Sequence, residues 1–235
     1  MMQRNGARLE TMWPLAAFVL IVVALAPVTA HAKPQPTRDR LDLAAAQPNP
    51  PAGEHNPRVS MTVAVDGEDG RRTELGTIAI ELFPKDAPKH VENFIKLSKD
   101  GYYTGLTFHR IVPAFVIQGG DPLSRSNWQS NRLGTGGPGY NVPAEIGRKH
   151  VRGAVAAARK NDPTLNPNKE SSGSQFYICL ADLPSLDQAG YTVFGQVDDA
   201  SMRDVVDKIA RVKNTGPQQN QALQRVVITK VTVDQ

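Results

Sequence analysis

The chain of 235 residues is 40% apolar, 21% charged and 6% aromatic, which is ordinary for a globular protein and excludes a collagen, a coiled coil and a wholly disordered chain. Its 27 basic and 23 acidic residues leave a net charge of only +4, and no block of five like charges occurs, so we expect no nucleic-acid partner. The single cysteine, Cys179, excludes an intrachain disulfide and a multi-cysteine metal site.

The first 32 residues have the pattern of a secretory signal peptide. Arg4 and Arg8 precede an apolar run over residues 15–26, and small residues at 30 and 32 suit a signal peptidase site. The apolar run is shorter than the roughly 20 residues that a bilayer core requires, so a stable membrane span is the weaker interpretation, although an uncleaved N-terminal anchor stays open. We predict a signal peptide at 1–32, cleavage before Lys33, and export to the periplasm or the medium.

Residues 33–57 follow as a proline-rich segment. They hold six prolines and few large apolar side chains, so they cannot bury enough surface to offset their ordering entropy. We predict a disordered linker over 33–57 and a folded domain over 58–235.

The folded domain begins with a predicted β-hairpin. Val59, Met61, Val63 and Val65 alternate with smaller or polar residues, which is the period of a half-buried strand. Residues 67–70 are typical of a turn, and residues 75–83 return as a second strand that stops at a proline.

Two helices are predicted. Residues 86–100 show an apolar face, with Pro88 in the first turn and Gly101 placed to close the helix in a left-handed conformation. Residues 201–212 carry a second apolar stripe, and Ser201 with Asp204 resembles a capping pair.

Short apolar runs separated by loops rich in Gly, Pro and Asn lie between the two helices, and a last alternating strand covers residues 225–233. Many strands with only two helices and no βαβ alternation indicate a mainly β domain, an antiparallel barrel or sandwich.

Several familiar motifs are weak here. Residues 134–139 (GTGGPG) fit the dinucleotide-binding G-x-G-x-x-G pattern, but a polar loop precedes them and Pro143 follows, so a surface loop is the better interpretation. No serine-hydrolase elbow surrounds Ser174, and the five histidines show no paired metal-ligand spacing. We expect an inert core thiol at Cys179, no metal and no cofactor.

One segment, residues 108–121 (FHRIVPAFVIQGGD), places single polar residues inside apolar strands. Arginine is rarely buried without a partner, so Arg110 either forms a structural ion pair or serves a site. Gln118 precedes two glycines, which suggests an amide presented where another backbone approaches closely.

FHRIVPAFVIQGGD, GTGGPGY, SSGSQFYICL and LDQAGYTVFGQV, in this order, resemble the cyclophilin-type peptidyl-prolyl cis-trans isomerases, as a bacterial, exported form. The resemblance covers about residues 59–233. It implies an eight-stranded antiparallel β-barrel capped by two α-helices. It also implies an enzyme that accelerates rotation of X-Pro amide bonds in unfolded or newly exported proteins. The alternative on the same scaffold is a proline-peptide-binding module or chaperone with little turnover.

The resemblance also implies the site residues. Arg110 matches the catalytic arginine and Gln118 the glutamine that binds the substrate backbone. The substrate-binding positions implied for the proline pocket and groove are Phe115, Val116, Ala158, Gln175, Tyr177, Leu186 and Tyr191. The chain departs from the common pattern at Arg159 (asparagine in many relatives), at Ser185 (tryptophan) and at Tyr191 (histidine). We expect a monomer that binds proline-containing polypeptides.

Overall fold

A β-hairpin opens the fold, as the alternating sequence predicts. The computed structural model describes residues 56–216 and 220–234; the predicted signal peptide and all but the last two residues of the predicted linker lie outside the described residues. Strand β1 (Arg58–Asp66) pairs antiparallel with β2 (Arg72–Leu82). Val59, Met61 and Val63 are fully buried on the inner face of this pair.

The hairpin belongs to an eight-stranded sheet in which every pairing is antiparallel. The other described strands are β3 (Arg110–Val112), β4 (Val116–Gly119), β5 (Asn141–Val142), β6 (Ala154–Ala157), β7 (Ser171–Ser172), β8 (Phe176–Cys179), β9 (Val193–Val197) and β10 (Arg225–Asp234). The order in the large sheet is β10-β1-β2-β9-β6-β8-β4-β3, and β5 and β7 form a separate two-stranded ladder. The predicted mainly β class is confirmed.

The predicted closed barrel needs a correction at one seam. Strands β3 and β10 stand at the two ends of the sheet order and do not pair as strands. The seam is joined instead by single backbone bonds, such as Phe108 N to Val226 O at 2.9 Å and Ile111 N to Asn220 O at 2.8 Å. The segment before β3 runs through turns and an isolated bridge at Thr107, and this irregular backbone interrupts the ladder.

The first helix agrees with its prediction to within two residues. Helix α1 spans Pro88–Lys99 and buries Val91, Phe94 and Leu97 against the sheet. Gly101 follows it with φ 70°, the left-handed conformation that glycine adopts without strain.

The C-terminal helical segment is less regular than its stripe predicts. It consists of Asp199–Ser201 (α), Met202–Val206 (π) and Asp207–Ala210 (α), together called α3. The cap is Asp198, whose side chain accepts from Ser201 N at 2.7 Å, so the predicted Ser201–Asp204 cap pair is wrong. A short helix that the sequence analysis missed, α2 (Pro184–Ala189), precedes β9.

Both faces of the central strands are apolar, and this property positions the site. Ile111, Ile117 and Ile178 point into the main core with α1 and α3. Alternate residues on the same strands, among them Val116 and Tyr177, point to the opposite face and form a second apolar cluster. No helix within residues 56–216 and 220–234 is long and apolar enough to span a membrane.

Candidate active site

The two polar residues singled out in residues 108–121 lie side by side on the outer face of the sheet. Arg110 of β3 is the register partner of Gln118 of β4. Gln118 is in turn the partner of Tyr177 of β8, which pairs with Ala156 of β6. The sheet therefore aligns a cation, an amide and a phenol in one row.

A directed chain of hydrogen bonds leaves Arg110. Its Nη1 donates to Gln118 Oε1 at 3.3 Å, and Gln118 Nε2 donates to Gln175 Oε1 at 3.0 Å. Gln175 Nε2 then donates to the carbonyl of Gly136 at 2.7 Å. Because a guanidinium can only donate, the arginine fixes the orientation of both amides.

A buried carboxylate anchors the loop at which this row of hydrogen bonds ends. Asp121 is fully buried and accepts from the backbone amides of Gly134 at 2.6 Å and Gly136 at 3.1 Å. A Cβ on Gly136 would collide with Oδ1 of Asp121, so this loop requires glycine. Residues 134–139 are turns and bends followed by strand β5, which agrees with a loop and not with the strand–loop–helix context of a dinucleotide site.

Arg110 has no carboxylate partner among the described residues that form ion pairs. Its side chain is half-buried. Burial lowers the pKa of Arg110 from its ordinary value, while the phenol of Tyr191 raises it. The ion-pair alternative is therefore not supported by the described residues.

The predicted pocket residues gather in the second apolar cluster. Val116 and Tyr177 are buried in it, and partly buried residues, including Phe115, pack against it. The predicted members of this group are Phe115, Val116, Ala158, Tyr177, Leu186 and Tyr191. The predicted aromatic and aliphatic wall is thus one packed cluster, and its member Tyr177 lies in the same cross-strand row as Gln118 and Arg110.

A buried histidine and its carboxylate support this wall. His150 Nδ1 lies 2.7 Å from Asp187 Oδ1, and its Nε2 lies 3.0 Å from the Tyr177 hydroxyl. The two rings are stacked with centroids 6.0 Å apart. Sequence analysis missed His150 and Asp187 because they pair across 37 residues and no local pattern marks such a contact.

Two clefts meet at Gln118. The larger, of about 750 Å³, lies between the glycine-rich loop and the segment after β6, and Ala158 and Gln175 line it. The smaller, of about 190 Å³, is lined by Arg110 and His109. The two clefts share Gln118 and Gly134, so the amide of Gln118 lies where they adjoin.

Cys179 lies in β8 and is buried, and burial raises its pKa to about 12. Cys179 is thus a core thiol, as predicted, and its burial disfavours the reactive thiolate. In the parts of the chain that the structure describes, no group of three or more His, Cys, Asp or Glu side chains is arranged to hold a metal ion.

Comparison with known proteins identifies the family. The family model of the cyclophilin type peptidyl-prolyl cis-trans isomerases matches residues 70–233. A Helicobacter pylori peptidyl-prolyl cis-trans isomerase is 43% identical over 141 residues, covering 59% of this chain and 77% of that protein. A Synechococcus elongatus protein of the same name is 43% identical over 148 residues, covering 60% of this chain and 91% of that protein.

Solved structures agree. A Cryptosporidium parvum cyclophilin type peptidyl-prolyl cis-trans isomerase superposes with a TM-score of 0.58 at 26% identity, covering 75% of this chain and 98% of that one. The chain belongs to the cyclophilin-type peptidyl-prolyl cis-trans isomerases. Its activity is the cis–trans isomerisation of peptidyl-prolyl bonds.

Proposed function

We propose that Arg110 and Gln118 carry out this isomerisation on proline-containing segments of unfolded or newly exported polypeptides. The observation that carries the proposal is the pairing of a half-buried arginine, which forms no ion pair with the described residues, with a glutamine beside the packed apolar wall. The Cryptosporidium parvum structure was also solved in the presence of the dipeptide Ala-Pro, and a ligand of that kind fits an apolar wall next to hydrogen-bond donors.

The reaction is a rotation about the C–N bond of an amide and breaks no covalent bond. Resonance across the C–N bond makes the barrier about 18–20 kcal/mol. In the twisted amide the nitrogen loses its conjugation and becomes a better hydrogen-bond acceptor. Arg110 donates to that nitrogen or holds the prolyl carbonyl, and Gln118 fixes the substrate backbone, so the site favours the twisted state over either planar isomer.

The magnitudes show that the arginine does not act alone. Raising an uncatalysed rate of about 0.05 s⁻¹ to about 10³ s⁻¹ requires about 6 kcal/mol. A charge-assisted hydrogen bond contributes about 1.5–3 kcal/mol. The remainder comes from the apolar wall of Phe115, Tyr177 and Leu186, which removes water from the proline, and from the clamped flanking peptide.

Replacing the arginine tests these roles. We expect Arg110→Ala to lower kcat/KM at least about 10-fold in a protease-coupled cis/trans assay, because one charged hydrogen bond to the twisted amide is lost. Arg71→Ala, in the exposed hairpin turn, is the matched control and keeps wild-type turnover. A folded Arg110→Ala variant with an unchanged rate would remove Arg110 from the mechanism.

We also propose export with cleavage before Lys33, a disordered proline-rich linker over 33–57, and a monomeric enzyme. The basic start, the short apolar run and the small residues at 30 and 32 support the proposed export and cleavage. Mass spectrometry of the protein from the extracytoplasmic fraction is expected to find Lys33 at the N-terminus. A full-length chain that stays in the membrane fraction would favour the uncleaved anchor instead.

A further inference from the structure

Arg159 stands where the sheet meets the pocket wall. It follows the end of β6, and the backbone of its neighbour Ala158 is fixed on both sides. Ala158 N donates to Gln175 O at 2.9 Å, and its carbonyl accepts from Ser172 N at 2.7 Å. These two hydrogen bonds hold the backbone from which the Arg159 side chain extends.

The Arg159 guanidinium is held by a ring and two carbonyls. Its Cζ lies 4.3 Å from the centroid of the Tyr191 ring. Nη2 donates to Ala189 O at 2.7 Å, and Nη1 donates to Lys160 O at 3.1 Å. The side chain is half-buried, and a partly desolvated cation over an aromatic face is attracted by the ring quadrupole.

Tyr191 links this cation to the catalytic row. Its ring meets Tyr177 edge-on at 5.9 Å between centroids and His150 at 6.4 Å. Tyr191 follows Gly190, the residue that caps the C-terminus of α2. Gly190 has φ 75°, in the left-handed region that glycine adopts without strain. Tyr177, which the Tyr191 ring meets, is the register partner of Gln118, and Gln118 is the register partner of Arg110.

From these contacts we propose that Arg159 is a positioning residue: it holds the Tyr191 ring against Tyr177 and thereby sets the proline-binding wall beside Arg110. The guanidinium does this with its flat face on the ring and one edge tied to Ala189, the last residue of α2. A lysine keeps the charge but cannot stack and donate in the same plane. The inference rests on the proposed function of the wall and concerns how tightly proline peptides are held there.

A double-mutant cycle between Arg159 and Tyr191 tests the proposal in the protease-coupled assay. We expect Arg159→Ala to raise KM for a proline tetrapeptide about 3- to 10-fold, the range that a partly desolvated cation–π contact corresponds to. The value of kcat changes less than about 2-fold, since Arg110 and Gln118 are untouched. Arg159→Lys gives a smaller rise in KM.

The second side of the cycle uses Tyr191→Leu. In that background Arg159→Ala changes KM less than about 2-fold, because the ring it holds is gone. In a Tyr191→Phe background the full effect persists, because phenylalanine keeps the aromatic face. Arg203→Ala, an exposed arginine on α3, is the control for loss of one surface charge, and thermal unfolding verifies that each variant is folded.

Two results would overturn the inference. An equal rise in KM in the wild-type and Tyr191→Leu backgrounds would mean that Arg159 acts on the peptide independently of Tyr191. An unchanged KM in both Arg159→Ala and Arg159→Lys would mean that Tyr191 is held without it. If Arg110→Ala still lowers kcat/KM in that case, only this inference fails; if Arg110→Ala is also inert, the proposed function fails as well.

Discussion

At the scale of single residues, the chemistry of each group fixes the direction of the hydrogen bonds around the pocket wall. A carboxylate only accepts, so His150 presents Nδ1–H to Asp187 and leaves Nε2 as an acceptor. The Tyr177 hydroxyl must then donate to Nε2. Burial raises the pKa of Tyr177 well above its ordinary range, which keeps this donor protonated.

Removing that hydroxyl is expected to cost stability more than activity. In Tyr177→Phe the buried His150 Nε2 loses its partner, and an unsatisfied buried group costs about 1–3 kcal/mol. The ring that lines the wall remains, so kcat/KM is expected to fall less than about 3-fold. Urea denaturation gives the free energy of unfolding, and the isomerase assay gives the rate.

Tyr140→Phe is the matched control for this substitution. The Tyr140 hydroxyl also donates a hydrogen bond, to Asn93 Oδ1, but the residue is 47% exposed, so water replaces the lost partner. We expect a change in the free energy of unfolding below about 0.5 kcal/mol. A Tyr177→Phe variant as stable as Tyr140→Phe would show that His150 does not depend on the phenol.

At the scale of elements, the sequence predicts those with a regular hydrophobic period and does not predict those that are short or irregular. The β1–β2 hairpin and α1 repeat their apolar residues over many positions, so a period of two or of 3.6 stands out. Helix α2 has only six residues and buries none of them, so it offers no stripe to detect. The π-helical stretch of α3 shifts the register within one apolar stripe, and residue spacing does not reveal it.

The site residues also divide into those that local sequence predicts and those that it does not. Arg110 and Gln118 were found because they interrupt apolar strands that a tight turn folds onto each other, and that register follows from local sequence. Gln175 and the pocket aromatics came from the family resemblance. His150, Asp187 and the buried Asp121 act through contacts between distant segments, and a single sequence carries no signal for such pairs.

At the scale of the whole molecule, three buried histidines make stability depend on pH. Burial lowers the pKa of His90 and of His150, although Glu145 and Asp187 oppose it through hydrogen bonds. Burial lowers the pKa of His109 to about 4, although Asp121 and a backbone hydrogen bond to Thr107 oppose the shift. All three are therefore neutral in the folded state near pH 7.

The sign of the pH effect follows from proton binding. The unfolded chain takes up protons on these histidines near pH 6.5, whereas the folded chain does not. The unfolded state thus binds more protons as the pH falls, and the free energy of unfolding decreases below about pH 6.5. The contribution of the neutral histidines is fully present above their pKa in the unfolded chain and is lost as the pH falls toward their pKa in the folded chain. Carboxylates add to the loss mainly below about pH 5.

Between pH 7 and 5.5, His109 alone is expected to lower the free energy of unfolding by about 1 kcal/mol, since its folded pKa lies well below this window. Denaturant titrations at both pH values measure the loss. His109→Leu reduces it by that amount, whatever its effect on stability at pH 7, because the comparison uses only the difference between the two pH values. If the loss is the same in His109→Leu and in the wild type, His109 titrates normally in the folded protein, and its buried ring must then reach water or an acceptor through the cleft that it shares with Arg110.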